Sequence, residues 1–241
     1  MPIGIEIKDD TGEVVLNSES KVLVKAGEIL WTAQDMTSSN WATGARNPVT
    51  GKYETLFVAP YKLARDDQIN WWHANDDVIF NVIAFTGKDP QYLKGVFQGI
   101  HQGGQTIYCR QYTEALAISS SSSAYLEVRN ANNEIVWDLQ TFMNSPRILK
   151  IGTFEEMVGI DKWKANVIPN GVPGKMWIWV DSINFFWDNN EGGDTVSLPQ
   201  TKNFLLACFK DSTLYLQQKS AGMGDDPRTW LTTIFVGYMP T

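Results

Sequence analysis

Two stretches of this chain, residues 5–17 and 126–138, follow one pattern at a shift of 121 residues. Each alternates apolar and polar residues, breaks at a turn rich in Asp, Asn or Gly, and alternates again. A period of two puts apolar side chains on one face of a strand. A turn cluster between two such runs marks a β-hairpin with one buried face. Only Glu6/Glu127, Glu13/Glu134 and Val15/Val136 are identical, but most other pairs keep their character. Further matches run along the chain in the same order. Residues 47–52 match residues 170–175 at a shift of 123, which also lays Ala84 on Ala207, Tyr92 on Tyr215, Leu93 on Leu216, Gly99 on Gly222 and Thr106 on Thr229. Trp41 and Trp163 pair at 122, and Gly27 and Gly152 at 125. Collinear matches at a nearly constant shift imply a tandem duplication. The expected fold is all-β, with two tandem, duplicated β-sandwich domains at residues 1–121 and 122–241 and the serine run 119–123 at their seam.

Other turn and strand signals agree. Strands are expected at 21–25, 28–33, 53–59, 78–85, 92–97 and 107–118, and a long loop at 35–51. Thr153 and Glu156 have the spacing of a capping box, which predicts a short helix.

Composition narrows the function. A net charge of −7 argues against a duplex nucleic-acid partner, which needs a basic face. The longest apolar runs are too short to cross a bilayer, so no membrane insertion is expected. The N-terminus has no basic-then-apolar leader, which predicts synthesis in the cytoplasm without a signal peptide. The two cysteines, Cys109 and Cys208, lie in apolar strand-like contexts and read as buried free thiols.

Candidate chemistry is sparse. His73 and His101 have no metal-ligand spacing around them. The carboxylate doublets at 9–10, 66–67, 76–77, 155–156 and 225–226 point to opposite faces when on a strand, which suits turns better than a catalytic pair. Asp188, Asn189, Asn190, Glu191 and Asp194 offer oxygen ligands without the EF-hand spacing. No phosphate-loop pattern occurs. No catalytic residue, metal or cofactor is expected.

The aromatics are the exception. Of 10 tryptophans, Trp71, Trp72, Trp177, Trp179 and Trp187 have no counterpart at the repeat shift. Trp177 and Trp179 share one strand face. Flat indoles stack on the apolar face of a sugar, and Trp also dominates protein interfaces. These five are the candidate interface or ligand platform.

The opening Met1, Pro2, Ile3, Gly4, Ile5, with Ile7, Asp9, Gly12 and Leu16, resembles the start of minor tail and tail-tip-associated virion structural proteins of tailed bacteriophages. The resemblance covers about the first 20 residues and, more weakly, 124–140, where Tyr125 and Asn133 replace Gly4 and Gly12. It implies a virion location and a role in assembly or host attachment. The implied partners are copies of itself and other tail proteins, with a host surface glycan as a further candidate. It implies no reaction. The alternative expectation is a carbohydrate-binding or adhesin module that uses exposed Trp platforms.

Overall fold

The computed structural model describes residues 6–8, 14–17, 22–31, 42–60, 69–82, 98–102, 105–115, 126–173, 175–180, 203–220 and 233–239. These are strands and their turns apart from two short helices, so the protein is all-β.

The first half begins with a hairpin of β1 (Glu6–Lys8) and β2 (Val14–Asn17). It continues with β3 (Val22–Trp31), β4 (Ala42–Arg46), β5 (Tyr53–Pro60), β6 (Ile69–Ala74), β7 (Phe80–Asn81), β8 (Gln98–Gln102) and β9 (Ile107–Ala115). The second half begins with a hairpin of β10 (Glu127–Arg129) and β11 (Ile135–Asp138), then helix α1 (Leu139–Asn144). There follow β12 (Arg147–Thr153), helix α2 (Phe154–Met157), β13 (Gly159–Ile160), β14 (Lys164–Val167), β15 (Met176–Val180), β16 (Asn203–Lys210), β17 (Thr213–Ser220) and β18 (Thr233–Tyr238).

The two hairpins agree residue for residue. Glu6 faces Asn17, Ile7 faces Leu16 and Lys8 faces Val14 across a bulge. Glu127 faces Asp138, Val128 faces Trp137 and Arg129 faces Ile135 across a bulge at the same step. Every pair repeats at the shift of 121 read from the sequence.

Strand order repeats as well. In the first half β3-β9-β6 lie side by side in one sheet and β5-β8-β7 in another. In the second half β12-β18-β15 and β14-β17-β16 do the same. The first strand of each set is bulged against the last, at Ala26 opposite β9 and at Leu149 opposite β18. Strand β4 is an addition to the first half only, on the outer edge of β5.

These sets are not separate sheets. Strand β15 pairs with β6 and β16 pairs with β7, so a six-stranded and an eight-stranded sheet each run through both halves. One core lies between them. The first sheet contributes Trp72, Cys109, Ile178 and Val236, and the second contributes Phe80, Ala207, Phe209 and Leu216. Helix α2 adds Phe154 and Met157 to that core. It forms as expected: the Glu156 amide donates to Thr153 Oγ1, and the Thr153 amide donates to Glu156 Oε2. Helix α1 was not expected. Asp138 starts it by accepting from the Thr141 amide at 2.8 Å.

Three expectations change. The strands expected at 21–25 and 28–33 join over the described residues 22–31 into one strand, β3, because the bulge at Ala26 absorbs the break in alternation. Strand β4 lies within the stretch expected to be a loop. The matching hexapeptides 47–52 and 170–175 do not occupy equivalent places. The first joins β4 to β5 in one sheet, whereas the second carries the chain from β14 in one sheet to β15 in the other. The expected strand 92–97 and the carboxylates at 188–194 lie outside the described residues.

Candidate functional site

Strand β6 is buried on both faces, and this decides where its indoles go. Trp72 points between the sheets and is 1% exposed. Trp71 points the other way, into a cluster on the far face of the six-stranded sheet. There it meets Trp177, Trp179, Tyr108, Tyr112 and Phe235. Of the five candidate tryptophans, the structure therefore brings three together, Trp71, Trp177 and Trp179. It places Trp72 in the core, and Trp187 lies outside the described residues.

The cluster is organised in rows that cross all six strands. Ile178 pairs with Trp72 at the junction, so Trp71 lies opposite Trp179 and His73 opposite Trp177. One row reads Glu28, Arg110, Trp71, Trp179, Phe235, Ile151. The next reads Leu30, Tyr108, His73, Trp177, Gly237, Ile148. Trp179 stacks on Phe235 with centroids 4.2 Å apart, and the Trp71 ring lies 5.8 Å from it at a tilt of 47°. His73 lies 5.0 Å from Trp177, and the Arg110 guanidinium sits 5.0 Å from the same indole. Side chains directly opposite across strands are the contacts that stabilise a sheet, each by roughly 0.2–1 kcal/mol. Here those contacts join the two halves.

Gly237 makes the row geometry possible. A Cβ there would collide with the Arg147 carbonyl oxygen and meet the Trp71 ring at 3.2 Å. The bare backbone leaves room for the indole.

Electrostatics divide the face. Glu28 accepts from Lys25 and pairs with Arg110 at 3.5 Å, and Lys25 first, then Arg110, holds its carboxyl below the usual range. Burial holds the His73 imidazole below its ordinary pKa. Its Nδ1–H donates to the Met176 carbonyl at 2.7 Å, a bond across the junction that fixes the tautomer. Burial raises the Tyr112 phenol, whose hydroxyl donates to Met239 Sδ at 3.2 Å. The rows are closed at the junction and open at their ends: Trp71 and Trp177 are buried, Trp179 and Phe235 half-buried, and Leu30, Ile148 and Ile151 exposed.

A second tie crosses the other sheet. Asn47 at the end of the β4–β5 hairpin donates to the Asp77 carbonyl at 2.7 Å, and Trp163 donates to the Arg46 carbonyl at 2.6 Å. Ala45, Val49, Leu206, Cys208, Tyr215 and Trp163 pack together there. Trp163 thus sits on the outer face of this sheet, away from the core between the sheets. Both cysteines are free and buried. Burial pushes the Cys208 thiol up to about 12 and the Cys109 thiol higher still. Among the described residues, no group of three or more His, Cys, Asp or Glu side chains is placed to hold a metal.

Sequence reasoning missed Tyr108, Arg110, Tyr112 and Phe235. The period-two alternation in β9 and β18 carried the signal, because it sets these side chains on one face.

No family model, curated protein or solved structure matches the chain. No described helix is long and apolar enough to cross a membrane.

Proposed function

We propose that this chain is a non-enzymatic virion structural protein of a tailed bacteriophage. It would be a minor tail, tail-tip or fibre-associated component, made in the host cytoplasm, that acts in assembly or host attachment. The observation that carries the proposal is the opening hairpin, the stretch that resembles this group, repeated in register at β10–β11. The same repeat supports a tandem duplication as the origin of the chain.

The aromatic face supports a scaffold over a sugar platform. A pyranose needs a free ring face, but Trp179 already stacks on Phe235 with Trp71 tilted beside it, and His73 and Arg110 lie against Trp177. The carbohydrate-binding alternative is therefore the weaker reading. The exposed ends of the rows remain for contacts with copies of itself or neighbouring tail proteins.

The test is mass spectrometry of purified particles from the phage that encodes the chain. Presence at a fixed copy number per particle is the expected result, and absence from washed, infective particles overturns the proposal. A glycan array with strong, Trp179-dependent hits would replace it with the carbohydrate-binding reading.

A further inference from the structure

The junction between the halves has the construction of a protein–protein interface, although a single chain supplies both sides. Both sheets are joined across it by antiparallel strands that hold the same place in each half, β6 against β15 and β7 against β16. A two-fold axis through the Trp72–Ile178 pair exchanges the contact Trp71–Trp179 with the contact Trp177–His73. Under that axis Trp71 and Trp177 exchange at a separation of 106, whereas the registers of the two bulged strands set Trp71 level with Trp179, at 108; matching at a shift of 123 finds neither.

We infer that this junction is a dimer interface carried inside one chain, and that the partner fitting the exposed junction face of either half is another copy of the same unit. The inference rests on the duplication reading and not on the virion assignment. The contacts have the character of an interface hot spot: fully buried Trp at the centre, an Arg over an indole, and polar ties around them. The Asp77 amide donates to the Phe209 carbonyl at 2.9 Å, and the Val82 amide to the Leu205 carbonyl at 2.8 Å. The second half also reaches over the first. Ser145 Oγ lies 3.4 Å from the Leu23 carbonyl on β3, although β12, two residues on, is at the opposite edge of that sheet. A flat six-stranded sheet would separate its edges by roughly 24 Å, so the sheet is strongly coiled.

The experiment uses the full chain with a specific protease site placed in the serine run 119–123. After complete cleavage, the fragments should remain one particle with the mass of the intact chain by native mass spectrometry. They should unfold together, at a midpoint that now rises with protein concentration. Trp71→Ala in the cut protein should weaken the association by about 30-fold or more, and Tyr53→Ala, on an exposed side chain of β5, should leave it unchanged. Fragments that part on dilution to micromolar concentration, folded or unfolded, overturn the inference. That outcome would leave the repeated hairpin registers standing, so the duplication reading fails or survives separately.

Discussion

Replacing Trp71 by Ala tests whether the tryptophans of the aromatic face are structural. Trp71 is 1% exposed and touches Trp179 across the junction. Truncating a buried Trp to Ala costs about 3–5 kcal/mol, through lost transfer free energy and the cavity left behind. For a domain of this size 1 kcal/mol moves the melting temperature by about 2–4 °C, so Trp71→Ala should lower it by about 6–20 °C. A double-mutant cycle with Trp179→Ala should return a coupling of about 0.5–1.5 kcal/mol. Trp71→Phe sharpens the test. The indole N–H is buried and has no acceptor among the described residues, so its removal takes away no hydrogen bond. Phe keeps a ring in the row and should cost less than half as much as Ala. Urea and thermal unfolding of the four variants, the double mutant included, measure all of this. A Trp71→Ala loss below about 1 kcal/mol, the range of a surface substitution, would refute the reasoning.

Gly237→Ala should destabilise more than Gly51→Ala. The first drives a Cβ into the Arg147 carbonyl, whereas the second meets open space and only the strain of a positive φ of 69°, about 1–2 kcal/mol; equal losses in thermal melts would contradict the packing described. Because burial lowers the His73 pKa, the unfolded chain takes the proton first: the stability from His73 is full above its ordinary value of 6.5 and falls as pH drops through and below it. Removing the imidazole with His73→Phe should flatten the dependence of unfolding free energy on pH between about 7 and 5 relative to the parent. Neither thiol should react with a disulfide reagent at pH 8 in the native protein, and both should react once it is unfolded, since Cys109 and Cys208 are buried with raised pKa values.

Local structure was legible because it depends on short-range pattern. The hairpins at β1–β2 and β10–β11, strand β5 and the capped turn of α2 follow from alternation, turn residues and one spacing rule. Long-range organisation was less visible. Strands that join one half to the other leave no periodic mark. Strand β6 carries Asn70 and His73 among its apolar residues, so it has no clean alternation, and both of its faces are buried by tertiary contacts. The constant shift that revealed the repeat also hid part of it. The first half has an added strand, β4, and the second a longer connection between β15 and β16, and these two changes nearly cancel in length. Trp71 and Trp177 consequently looked unrelated. Their rows became visible only when strands distant in sequence were set in register.

The junction also imposes a schedule on synthesis. Strand β6 ends at Ala74, and its partner β15 begins only at Met176. At roughly 5–20 residues per second, a chain leaving the ribosome carries an open edge bearing Trp71 and Trp72 for about 5–20 s before that partner exists. During that interval the edge can pair with the equivalent edge of a neighbouring nascent chain. The conditions that favour misassembly are therefore crowded translation and slow elongation between codons 75 and 176, and the hazard ends when β15 and β16 arrive.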